Sequence, residues 1–288
     1  LYYVHNIKLV IFMKLKLQFG RLIQPIFYLS PSLIPFFIFW VFSAFYAIYL
    51  SFTSWTGATI GWIFPFIGLK NYIELVNAFR FQNALFNTLL YMTAYTLIIP
   101  LIALFLAILL QTNLKFNNQL GVLLYLPLAM APILVAKLWG WILNPSFGLL
   151  NTILRYLGLD FLALGWISDP KLALLSVVIA SSWTGVPFSM LIFEAGLSAI
   201  PTELIDAAKV DGATFWTILF KILIPLLSPA FTVVYTFAIL NAVQVFDIVY
   251  GLTGGGPGFA SDVLGTFFYN QAFQGFRFAY GAAIAVVM

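Results

Sequence analysis

The chain has 288 residues, of which 63% are hydrophobic and 8% charged, with a net charge of +4 and no cysteine. Soluble domains carry roughly 25% charged residues, so a water-soluble globule is excluded. Without cysteine there are no disulfides or thiolate metal sites, and so small a basic excess bears on membrane orientation rather than on nucleic acid.

Residues 1–24 hold Lys8, Lys14, Lys16 and Arg21 and no acid. They read as a cytoplasmic N-terminal segment, without the small-residue cleavage site of a removed signal peptide. Apolar runs follow at about 25–52, 84–110, 120–143, 172–197, 222–250 and 276–288. A helix needs ~20 apolar residues to cross a bilayer, and backbone groups in lipid must be paired within the segment. The expectation is therefore an all-α, multi-pass membrane protein of about six transmembrane helices. Residues 25–83 would hold the first span with an external loop, and 84–288 a core of five more. The last run, Phe278 to Met288, is too short to cross, so the final helix is expected to be cut short.

Orientation follows from the basic residues. With the N-terminus inside, that side holds Lys8, Lys14, Lys16, Arg21, Lys115, Lys209 and Lys221. The other side holds Lys70, Arg80, Arg155, Lys171 and Arg277, with Lys137 inside a span. Since the flank of the first helix weighs most, the N-terminus is expected in the cytoplasm. Tryptophans 55, 62, 139, 141 and 166 fall near span ends, as interfacial anchors do.

The most informative stretch runs from Ile200 to Ala213, an acidic island between two long apolar runs. Pro201 suits a first helical position, Glu203 favours the positive end of the dipole, and Gly212 supplies a stop. Leu204, Ala207, Ala208 and Asp211 share one side at helical spacing, which leaves that side shallow enough for close approach by another protein. From these properties alone, a docking helix and an ordinary polar loop fit about equally.

Resemblance separates them. Asp206-Ala207-Ala208-Lys209-Val210-Asp211-Gly212-Ala213, followed by Phe220, Ile222 and Pro225, resembles the EAA signature of ABC importer permeases, specifically the carbohydrate-uptake class of maltose- and glycerol-3-phosphate-type permeases. Ser51-Phe52-Thr53-Ser54-Trp55, Gly68–Tyr72, Asn87-Thr88, Asn144-Pro145 with Gly148–Asn151, and Leu252–Gly258 resemble further signatures of that class, in the same order and spacing. One position departs: Asp206 stands where the family usually has Glu.

The resemblance implies a MetI-like permease core, with residues 198–221 as its cytoplasmic coupling loop. Glu203, Asp206, Ala207, Ala208, Asp211 and Gly212 would engage a separate ATPase. Implied partners are a second permease subunit, two ATPase subunits and an extracytoplasmic solute-binding protein, in a bacterial or archaeal plasma or inner membrane. No cofactor is expected in this chain, because ATP and magnesium would bind the ATPase. The glycine-rich turn at 254–258 lacks the spacing of a phosphate-binding loop and a following Lys, which agrees with nucleotide binding elsewhere.

Polar residues within spans are costly and are functional candidates. Asn241, Gln244 and Asp247 recur every three residues and are expected along one helical stripe, with Phe246 and Tyr250 as aromatic companions. Such a stripe serves equally as a substrate pathway or as hydrogen-bonded glue between helices. Lys137 and Asp247 lie at similar depth, which would allow an ion pair. His5 has no ligand-type neighbour in sequence, so metal or acid–base work there is not expected.

The reading that follows is an importer subunit moving a sugar or polyol by alternating access, and not itself an enzyme. A secondary transporter or channel half would instead need acids at mid-depth and broken helices repeated in both halves. A membrane-embedded enzyme would need several titratable groups at one depth, which one His and no Cys do not supply.

Overall fold

A computed structural model describes residues 28–57, 64–112 and 117–288. Sequence features at 1–24, Trp62 and Lys115 fall outside these. Among the described residues the chain is helical; the only strand-like pairing is an isolated antiparallel bridge between Thr53 and Phe66.

Three helices among the described residues are long and apolar enough to cross a membrane: α1 (Tyr28–Ser51), α3 (Phe79–Gln111) and α7 (Ala173–Ser198). A short helix, α2 (Lys70–Asn77), leads into α3. The two other expected spans are broken. The run at 120–143 divides into α4 (Asn117–Tyr125), extended by a tight turn through Ala129, and α5 (Pro132–Ile142), with a bend of 108° between the halves. Pro127 and Pro132 explain the break, since a proline ring removes a backbone donor and clashes with the preceding turn. The run at 222–250 divides into α9 (Phe215–Leu226) and α10 (Ser228–Val243), bent by 69°, and the chain then breaks again before α11 (Asp247–Leu252). Counting each bent pair as one span gives five.

Between the spans lie α6 (Leu149–Tyr156), α8 (Thr202–Val210) and α12 (Leu264–Tyr269). The last helix, α13 (Phe278–Val287), has ten residues and packs along α1.

The main core is the junction of α3, α7 and α10. Ala103 and Ala107 of α3, Ala180 of α7 and Ala238 and Ala242 of α10 are buried. Without a hydrophobic drive between helices in lipid, small side chains let backbones approach and gain packing contact. Gly185 shows the need sharply: a Cβ there would collide with the Tyr95 hydroxyl. Larger residues, Tyr91, Phe193 and Met190, fill the remaining space.

Candidate functional site

The acidic island forms α8, one residue later than expected, with Pro201 immediately before the helix at φ −58° and Glu203 in the first turn. The helix ends at Val210, and Gly212 follows at φ +77°. Only glycine adopts this left-handed backbone without a steric penalty. Thr214 then caps the next segment by accepting from the Thr217 backbone N–H. The 198–221 loop is thus helix, glycine turn, helix.

The shared face predicted for α8 is divided in the structure. Ile205 and Ala208 turn inward against the core, whereas Leu204, Ala207 and Asp211 face outward beside the 88%-exposed Val210. Ala207 and Ala208 are neighbours in sequence but 100° apart around the helix, so one packs and the other stays free. Asp206 accepts a 3.0 Å hydrogen bond from Lys209, both largely exposed. Such a pair contributes only about 0.3–0.5 kcal/mol. Two half-buried side chains, Ile205 and Ala208, hold α8 loosely to the bundle, the ion pair being internal to the helix, and its outward edge is apolar.

The second candidate set also changes geometry. No continuous helix carries Asn241, Gln244 and Asp247: α10 stops at Val243, Phe246 turns the chain at φ −141°, and Asp247 opens α11. The three nevertheless line one cavity of about 160 Å³, together with Tyr91, Tyr95, Ser181 and Thr184. A neighbouring cavity of about 360 Å³ shares Tyr95, Thr184 and Asn241 with it and continues past Ser189. Convergence therefore comes from a broken span, not from periodicity. Tyr250 is outside both cavities; it stacks on Phe246 at 5.3 Å and meets Tyr269 edge-on at 5.0 Å.

These walls are rich in acceptors. Asn241 donates through Nδ2 to the Phe237 carbonyl, which leaves its Oδ1 free, and Ser181 donates to the Val177 carbonyl. The Asp247 carboxylate adds charge, and neither lining set contains Lys or Arg. Lys137 is exposed, and no ion pair joins it to Asp247.

Residues 75–288 match the family described as "Binding-protein-dependent transport system inner membrane component". The chain belongs to this permease family. It is 37% identical over 225 residues to the Bacillus subtilis protein named "Probable ABC transporter permease protein YurN", covering 77% of each chain. Over 223 residues it is 34% identical to the trehalose/maltose transport system permease protein MalF of Thermococcus litoralis, covering 77% of this chain and 75% of that one. Its fold is that of a crystal structure of a bacterial ABC transporter involved in the import of alginate, with a TM-score of 0.78, 24% identity, and 94% and 92% of the two chains covered.

The structure gives physical work to the remaining sequence signatures of this permease. Asn71 donates through Nδ2 to the carbonyls of Ser51 and Thr53, at 2.8 and 2.9 Å, which ties the loop after α1 to α2. Asn151 donates to the carbonyls of Pro145 and Leu164 and accepts from Trp166 Nε1 at 2.8 Å.

Sequence reasoning missed Asp262. Fully buried beyond the glycine-rich turn, it accepts from Arg80 Nε at 2.7 Å and from Thr266 Oγ1 at 2.6 Å. Asn87 donates to its backbone carbonyl, and Thr88 accepts from the Leu264 N–H. Arg80 also stacks over the Phe259 ring at 4.3 Å. This network pins residues 259–264 to the start of α3, the helix that supplies Tyr91 and Tyr95 to the cavities. The only sequence cue was Asn87-Thr88; its partner lies more than 170 residues away.

Proposed function

We propose that this permease subunit moves a neutral sugar or related polyol into the cell through the cavities walled by Tyr95, Thr184, Asn241, Gln244 and Asp247, driven by a separate ATPase that grips α8. The observation that carries the reading is the pairing of two features: an acceptor-rich, cation-free cavity inside the bundle, and a loosely held helix with an apolar outward edge at its end. Sugar hydroxyls donate to amide and carboxylate oxygens, while the Asp247 charge disfavours an anionic solute such as a glycerol phosphate, which would call for Arg or Lys. The carbohydrate permeases among the relatives support this class of solute.

In the full assembly, a second permease subunit completes the pathway and two ATPase subunits lie on the cytoplasmic side. An external binding protein delivers the solute; the alginate importer has been solved in complex with its alginate-loaded periplasmic protein. ATP and magnesium are held by the ATPase, and the N-terminus is cytoplasmic. Glu203, Leu204, Ala207, Val210 and Asp211 present the contact, and Gly212 transmits the motion. Asp206 already has an intramolecular partner, so its contact to the ATPase competes with Lys209. Closure of the ATPase dimer shifts the permease between its two states only by the difference in affinity for them.

Asn241→Ala and Asp247→Asn test the pathway. Each should raise the solute concentration needed for half-maximal uptake while leaving ATPase co-purification intact. Unchanged uptake kinetics in both would remove these residues from the pathway.

A further inference from the structure

The helix α6 lies in the loop that joins the outer ends of α5 and α7, and its amphipathicity is inverted. Asn151, its buried polar residue, points inward and is fully engaged by Pro145, Leu164 and Trp166. Leu149, Ile153 and Tyr156, at helical spacing of four and three, point outward and are exposed, Tyr156 to 90%. Phe147 before the helix, and Leu157 and Phe161 after it, extend the same apolar surface; Phe161 is 73% exposed. A helix bathed in water carries its apolar stripe toward the protein. This one carries it away from the protein, on a loop that its own hydrogen bonds hold firmly: Asn144 Oδ1 accepts from the backbone of Ser146 and Phe147, and Ser176 donates to the Trp166 carbonyl.

We propose that α6 is an interfacial anchor whose outward stripe is embedded in the lipid of the outer leaflet. Three observations favour lipid over a protein partner. The segment continues directly from the outer end of α5, where Trp141 is already exposed, so it lies at the depth of the bilayer surface. The stripe itself carries one polar atom, the Tyr156 hydroxyl, in the pattern of an aromatic belt with an apolar body and a wet tip, while the exposed Thr152 and Arg155 beside it are hydrogen-bonded to the Gly148 and Pro145 carbonyls. Finally, the charges of residues 143–172 cancel, Arg155 and Lys171 against Asp160 and Asp169, which leaves burial of apolar area as the driving term rather than attraction to a charged surface. Assignment to the outer leaflet rests on the orientation proposed above; contact with lipid does not.

The chain has no cysteine, so single cysteines can be introduced without background. Ile153→Cys, Tyr156→Cys and Phe161→Cys carry a nitroxide, with Phe39→Cys on the exposed face of α1 as the lipid reference. The assembled transporter is placed in phosphatidylcholine–phosphatidylglycerol nanodiscs, and relaxation by oxygen is compared with relaxation by a water-soluble nickel chelate. All three positions should show several-fold greater access to oxygen than to nickel, as Phe39→Cys does. Dominant nickel access would place the stripe in water, and low access to both would place it against protein; either overturns the anchor. The three positions lie on separate turns, so one variant that fails to assemble leaves the pattern readable. Transport needs no part in the readout, so the anchor and the transport function fail independently.

Discussion

Gly212 sits at φ +77°, and a Cβ added there would meet nothing within 4 Å. Its constraint is therefore conformational and not steric crowding. A β-branched residue forced into this region costs about 1–2 kcal/mol, whereas Asn tolerates it. Gly212→Val should strongly reduce uptake at unchanged membrane abundance, and Gly212→Asn should retain most of it; equal loss in both would point to a need for bare backbone at the ATPase contact. Asp262 poses a different problem, because it is fully buried and its neutralising partner Arg80 is mostly covered. Removing one member of such a pair strands the other, at a cost of about 3–5 kcal/mol. Arg80→Met should lower the thermal unfolding midpoint more than Arg80→Met combined with Asp262→Leu, measured on the purified protein in detergent.

At the level of elements, the contact of α3 with α7 shapes both cavities, through Tyr95 and Thr184. Gly185→Ala would push the Tyr95 hydroxyl out of the wall that both cavities share. Uptake should fall while the subunit still assembles, as read by co-purification. The elements differ in how much of themselves the sequence shows. The α8 helix is legible because proline, an acid and glycine mark its ends in a chain otherwise poor in polar residues. The broken spans are not, because hydropathy continues through the bends: Leu128-Ala129-Met130-Ala131 and Leu226-Leu227 are as apolar as the helices around them. Pro225 looks like the hinge of the later span, yet the bend falls at Leu227, before Ser228 and Pro229. Asn241, Gln244 and Asp247 are recognisable as polar candidates, but what brings them together is a helix break between Val243 and Asp247 that no periodicity encodes. Asp262 is hidden because a buried ion pair 182 residues apart leaves no local pattern.

For the whole molecule, the permease combines a small-residue helical junction with two ends tied differently. At one end, the Arg80–Asp262 and Asn71 networks, together with an ion pair between Glu74 and Arg277, fix the loops. At the opposite end, α8 is held by little more than Ile205 and Ala208. Elements that move are drawn from those with few buried contacts, which suits α8 to travel with a partner. We propose that ATP hydrolysis by a partner, passed through α8, drives solute inward through this subunit. The complex reconstituted in proteoliposomes, with binding protein and labelled solute on one side and ATP on the other, tests it most directly. Accumulation should require ATP and collapse with Gly212→Val, even though the ATPase still co-purifies; accumulation driven by an ion gradient without ATP would contradict it.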